Sequence, residues 1–216
     1  MRFSEYVEFM DFVHPVEAVI PGVQGRVLAV LVGTTAELSL RTLARLAGVS
    51  VAQASRVLPG LVELGLVDRR EVPPSSQFRL NRSNVAARAV IDLTRSRNTV
   101  LESIGVGASC LPIPPASVIV FGSFARGEAG RESDLDVVVV RPDAIDEDDE
   151  NWAASIEDWR NEARAIAGNP IQILEVSRAE AHARLARNKQ VWRDIHRDGV
   201  VVHGLSIREL NESVHA

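Results

Sequence analysis

From Gln24 onward the apolar positions recur at helical spacing. Val27, Leu28, Leu31 and Val32 share one face, and Leu40, Leu43, Ala44 and Leu46 share another, with Gly48 placed to end that helix. Ser50 stands as N-cap of a third helix whose inner positions are Ala52, Ala54, Val57, Leu58, Leu61, Val62 and Leu64. Pro59-Gly60 falls inside it, so a kink or an early stop is expected there. The pattern then turns strand-like over Leu66 to Val72 and Ser76 to Leu80, which can pair as a hairpin around Pro73-Pro74-Ser75. Ser83 is positioned to open one further helix running to about Gly105.

Beyond Pro115 the period changes. Val118 to Phe121 and Val137 to Val140 are short continuous apolar runs of the kind buried in a sheet, as is Ile171 to Val176. Trp152, Ile156, Trp159, Ala163 and Ile166 trace an intervening helix that Gly168-Asn169-Pro170 ends. Ser177-Arg178-Ala179-Glu180 reads as a capping box for a helix to about Ile195, and Gly199 to Gly204 as a closing strand. Before all of this, Phe3, Tyr6 and Met10 fit a short amphipathic helix. The expected organisation is an N-terminal arm (1–21), a helical module with a β-hairpin (22–97) and a mixed α/β module (98–216).

Charge sharpens that division. The chain of 216 residues has a net charge of −5, yet residues 22–97 hold eleven Arg against five acids, a local +6, which leaves −11 for the rest. A basic module joined to an acidic one is the simplest reading. The single cysteine, Cys110, excludes an internal disulfide and a thiolate zinc cluster, and fits a reducing cytoplasm. The first residues lack an apolar stretch of signal-peptide length, and no apolar run approaches a membrane span, so a cytoplasmic protein without a membrane partner is expected. His182, His196, His203 and His215 show no metal-ligand spacing, and the run Asp146 to Glu150 reads as a solvated loop.

The chemistry concentrates between the first two apolar runs. Gly122 lets a phosphate approach the backbone, and Ser123 adds a hydroxyl beside the first amides of a helix. Asp134 and Asp136, two apart, project to one face of a strand and offer hard oxygen ligands for a divalent cation. Gly122-Ser123, ten intervening residues, then Asp134-x-Asp136, together with Ala125-Arg126-Gly127 and Ser133, resemble the signature of the minimal nucleotidyltransferases of the DNA polymerase β superfamily. The resemblance covers about the last half of the chain. It implies a mixed sheet flanked by helices and transfer of a nucleoside monophosphate from an NTP, ATP above all, to a hydroxyl on a protein, a tRNA or a small molecule. Asp134 and Asp136 would be the catalytic metal ligands for Mg²⁺ or Mn²⁺, while Gly122, Ser123, Arg126 and Ser133 would serve the nucleotide. A third carboxylate is usual on the next strand, and here that position is Gln172, which can coordinate but cannot act as a base. Glu175 is the nearest acid, but reaching the same face would require a bulge.

The first module resembles the winged helix-turn-helix domains of bacterial transcription regulators, mostly α with a β wing, which makes the whole chain α+β. That resemblance implies double-stranded DNA as partner, with Ser50, Gln53, Ser55 and Arg56 near base edges and Arg69, Arg70 and Arg79 on phosphates. Small nucleotidyltransferases of this kind also occur in toxin–antitoxin pairs, which would supply a protein partner or acceptor. A homodimer is expected from the winged helix with its aromatic arm. The alternative reading is a DNA-binding regulator whose transferase domain only binds nucleotide or docks a partner.

Overall fold

A computed structural model describes residues 9–187 and 190–212. The chain divides into two compact units: residues 14–96 form one, and residues 97–216 with the segment before His14 form the other. The amphipathic helix expected around Phe3 and Tyr6, and His215, lie outside the described residues.

The first unit opens with helices α1 (Pro15–Val19) and α2 (Val23–Val32), followed by the two-residue strand β1 (Leu38–Ser39), α3 (Leu40–Leu46) and α4 (Val51–Glu63). Strands β2 (Val67–Val72) and β3 (Ser75–Leu80) then pair antiparallel, Val67 opposite Leu80, and β1 joins the outer side of β3. Helix α5 (Val85–Leu93) completes the unit. Val27, Leu31, Leu43, Leu58, Leu61 and Phe78 meet in one core. This is a winged helix-turn-helix, as the apolar spacing predicts.

Three helices differ from the sequence reading, one of them the helix expected from Ser177 to about Ile195, which is two, Arg178–Ala186 and Gln190–Asp198. Helix α4 runs unbroken through Pro59. The proline removes one backbone hydrogen bond, a cost of about 3 kcal/mol in a helix interior. Ala54, Leu58 and Leu61, all essentially buried, hold the turns on both sides in place, and each buried leucine contributes about 2 kcal/mol. The long helix expected from Ser83 is instead two helices. Its N-cap is Asn84, whose side chain accepts from the amides of Ala86 and Ala87, and Thr94 ends it by donating its hydroxyl to the carbonyl of Ile91 at 2.6 Å.

Helix α6 (Ser96–Ser109) leads into the second unit, where β4 (Ser117–Phe121), α7 (Gly122–Arg126), β5 (Leu135–Arg141), α8 (Glu150–Ala167), β6 (Ile171–Ser177), α9 (Arg178–Ala186), α10 (Gln190–Asp198), β7 (Val200–Gly204) and α11 (Ile207–Glu212) follow. The sheet order is β6-β5-β4-β7, with β5 and β6 parallel and the other pairs antiparallel. Helix α8 makes the crossover that a parallel pair requires. Val137 and Val139 face Trp152, Ile156 and Trp159 of α8, while Val138 and Val140 face Trp192 and Ile195 of α10. All four valines of β5 are fully buried, which explains their uninterrupted apolar run. The edge strands β6 and β7 are only partly buried, and in β5 the start of the strand, at Asp136, reaches solvent.

Candidate functional site

Strand β4 delivers Gly122 at its end, and the sheet register sets Phe121 opposite Asp136 at the start of β5. Gly122 has φ +72°, and a Cβ added there would lie 2.5 Å from Asp136 Oδ2. A larger residue is strained here: the backbone is left-handed, and a Cβ would have to displace the carboxylate. The glycine turn and the carboxylate are therefore in direct contact. Phe121 gives α7 no side-chain cap, and Ser123 makes no side-chain hydrogen bond among the described residues, so this turn presents amides and a hydroxyl without an internal side-chain acceptor.

Asp134 precedes β5 by one residue and Asp136 lies within it, both half-buried. Burial raises the pKa of Asp136 above the ordinary carboxylate value, and the charge of Asp134 adds to the rise. On the neighbouring strand Gln172 is in register with Asp136, and its Nε2 lies 3.4 Å from Asp134 Oδ2, a long hydrogen bond. Two neighbouring carboxylates, with an amide oxygen able to turn toward them, are a donor set that suits a hard divalent cation. Among the described residues no group of three His, Cys, Asp or Glu side chains gathers anywhere, so the pair has no third acid.

Glu175 is not brought to this pair. The β5–β6 register is regular from Leu135–Ile171 to Arg141–Ser177, with no bulge, so Glu175 faces the opposite side of the sheet. There its Oε1 accepts from Arg141 at 2.6 Å and from the Trp152 indole at 2.9 Å. Arg126 donates to Glu128 at 2.7 Å. Ser133 builds its loop, its hydroxyl accepting from the amide of Gly130 at 3.1 Å.

One residue that sequence reasoning missed fixes Asp134. Asn169, 1% exposed, donates from Nδ2 to the carbonyl of Ser133 at 2.9 Å and to that of Met10 at 3.2 Å. The Leu135 amide donates to the carbonyl of Pro170, closing the same corner. In the sequence, Gly168-Asn169-Pro170 signals only a helix end; nothing in its spacing points to a brace.

In the winged-helix unit, Ser50, Gln53, Ser55 and Arg56 are exposed on α4. Ser50 and Gln53 form a reciprocal capping box, which uses the Gln53 carbonyl oxygen. On the wing, Arg69 is bound to Glu71 and Ser76, Arg70 to Glu37 and Arg79 to Asp68. Arg41, Arg45 and Arg56, on α3 and α4, have no ion-pair partner among the described residues; the first two were not singled out from the sequence.

Comparison with known proteins agrees with this division. Residues 110–193 match the nucleotidyltransferase domain and residues 20–76 match the MarR family. The chain thus carries a nucleotidyltransferase domain behind a MarR-like winged-helix domain. No curated protein sequence matches it. Among solved structures it is similar to a toxin–antitoxin crystallised with AMP-PNP, at 13% identity over 55% of this chain and 80% of that one, TM-score 0.33. It is also similar to a mutant of the toxin–antitoxin MntA-HpeT, at 11% identity over 54% and 80%, TM-score 0.34. A third likeness is to TrmBL2, an archaeal chromatin protein, at 17% identity over 89% and 79%, TM-score 0.30. Likenesses at these scores say nothing of what this chain binds.

Proposed function

We propose that the protein transfers a nucleoside monophosphate from an NTP, ATP by preference, to a hydroxyl acceptor with release of pyrophosphate. The observation that carries this is the contact of Gly122 with the Asp136 carboxylate, which sets a phosphate-sized turn against a cation-binding pair. Asp134, Asp136 and the Gln172 carbonyl oxygen would hold Mg²⁺ or Mn²⁺, which when bound neutralises phosphate charge. Gly122 and Ser123 hold the triphosphate tail through backbone amides and a hydroxyl. The acceptor oxygen bonds to the α-phosphorus as the bond to the pyrophosphate oxygen breaks. The chain's contribution is position and charge, because Gln172 cannot take the acceptor's proton. The acceptor must therefore lose that proton to solvent or to a base of its own.

Incubating the protein with α-labelled ATP, divalent metal and cell lysate tests this reading. Transfer of label that disappears in Asp134→Ala supports it, and a larger transfer by Gln172→Asp is expected. Failure of wild type and Gln172→Asp alike to move label, with ATP still bound, leaves the regulator alternative, in which the domain only senses nucleotide. The protein class labelled, a partner protein or tRNA, decides whether the chain works within a toxin–antitoxin pair.

For the winged-helix unit we infer binding to double-stranded DNA. The unpaired Arg41, Arg45 and Arg56 favour it, since cations without internal partners neutralise phosphate without first breaking an ion pair. Arg69, Arg70 and Arg79 would have to exchange their acids for phosphates. A duplex gel shift at low salt that weakens in Arg56→Ala is expected; no shift with any duplex overturns the inference. A homodimer in a cytoplasmic setting completes the reading: the exposed, unbridged Cys110 is compatible with a reducing compartment, and among the described residues no helix is long and apolar enough to cross a membrane.

A further inference from the structure

Helix α7 is only five residues long, too short to be stable by its own hydrogen bonds. Its far end is held by a side chain from α6. Arg97 donates from Nε to the carbonyl of Phe124 at 2.7 Å and from Nη2 to the carbonyl of Ala125. Its guanidinium carbon also lies 5.9 Å from the centre of the Phe124 ring, within cation–π range. The same ring receives Phe12 edge-on, with centroids 4.8 Å apart and planes at 70°. The Phe12 amide donates to the carbonyl of Ala129 at 3.0 Å, just past the helix. Phe124 is 1% exposed and adjoins Ser123, so any shift of this ring moves the glycine-serine turn.

Where these two braces stand in the chain adds a second observation. Phe12 comes one residue before Val13, the last residue of the N-terminal segment, and Arg97 is the first residue after the winged-helix unit. The two places where the chain passes between units thus both carry a side chain that holds α7.

We propose that Arg97 and Phe12 are positioning residues of the nucleotide site, fixing the Gly122–Ser123 turn against Asp136 from the far end of α7. The proposal rests on the nucleotide-binding part of the reading above. A guanidinium suits the task because its planar fork satisfies two adjacent carbonyls while lying over a ring. A lysine ammonium has three donors but lacks the rigid planar fork, so it would hold the same groups with less constraint on their geometry. Neither residue touches phosphate or metal, so their effect should reach nucleotide affinity and leave cation binding by Asp134 and Asp136 unchanged.

The test uses the full chain with Arg97→Ala, Arg97→Lys and Phe12→Leu, and Arg164→Ala as an exposed control on α8. Two quantities are read: hydrogen exchange at the Gly127 and Glu128 amides, which close the end of α7, and the Kd values for ATP with Mg²⁺ and for Mn²⁺ alone. Expected in Arg97→Ala are exchange and nucleotide Kd each raised at least about tenfold, with the Mn²⁺ Kd unchanged. Arg97→Lys and Phe12→Leu should fall between wild type and Arg97→Ala, and they keep the proposal testable should Arg97→Ala not fold. Exchange no faster than in the control, or faster exchange with unchanged nucleotide affinity, overturns the proposal. A wild type that binds no nucleotide removes the function of the brace and overturns the proposal along with the transfer reading. Wild-type binding without label transfer defeats only the transfer reading.

Discussion

Strands β5 and β6 carry polar residues on both faces of the sheet, and the two faces treat them differently. Toward α8, Glu175 accepts from Arg141 at 2.6 Å and from Trp152 at 2.9 Å, and Arg141 donates its Nε to the carbonyl of Ile145 at 3.1 Å. Every charge there has an internal partner. Toward α9 and α10, at the strand ends, Asp136 sits beside Asp134 and in register with a neutral glutamine. No cation of the chain answers that pair among the described residues. Burial of a charge costs several kcal/mol unless it is paired, so the first face is paid for within the fold, and on the proposed reading a bound cation would do the same for the second.

The sharpest way to break this contrast is to remove Glu175. Arg141 is 7% exposed, and Glu175→Ala leaves its guanidinium and the Trp152 indole without their shared acceptor. A loss of about 3 kcal/mol in urea unfolding is expected, with Mn²⁺ and nucleotide binding retained. Loss of metal binding at unchanged stability would instead make Glu175 part of the site.

Gly122→Ala should be smaller in stability and larger in function. A left-handed alanine costs about 1–2 kcal/mol. Its Cβ would also displace the Asp136 carboxylate, which a Cβ there would meet at 2.5 Å. The expected result is a modest fall in melting temperature together with loss of the thermal shift produced by ATP and Mg²⁺. A variant that keeps this shift would show that the turn and the pair do not act together.

These contrasts also explain what could be read from the sequence. The fold was legible because its signals are local: four successive valines in β5, the hairpin turn Pro73-Pro74-Ser75 of the wing, the Ser50 N-cap and the Ser177 capping box. That Asp134, Asp136 and Gly122 stand together was legible because it depends on spacing along one strand and one turn. Pro59 misled because propensity is a local cost and the core beneath Leu58 and Leu61 is not local. Asn169, Arg97 and Phe12 were invisible for a related reason. Each acts on a backbone carbonyl or a ring distant in sequence, Arg97 on Phe124 and Asn169 on Ser133, and an arginine that braces a carbonyl has no spacing that sets it apart from a solvated one. Glu175 was ambiguous until the register excluded a bulge.

The smallest expected effect is the most direct measure of the unpaired face. Burial, and then the charge of Asp134, raise the pKa of Asp136. A carboxyl that binds its proton more tightly folded than unfolded favours folding below its unfolded pKa, and that contribution is lost as pH rises through the higher folded value. At neutral pH the ionised group is therefore a cost. Asp136→Asn should melt slightly above wild type at pH 7 without divalent metal, by a few degrees at most, and the difference should vanish in acid, where Asp136 is protonated in both states. On the proposed reading Mg²⁺ should reverse the order, because it would bind and stabilise only the chain that keeps both carboxylates. If Asp136→Asn instead melts well below wild type in metal-free buffer, the carboxylate is serving the fold as Glu175 does, and the two faces are alike.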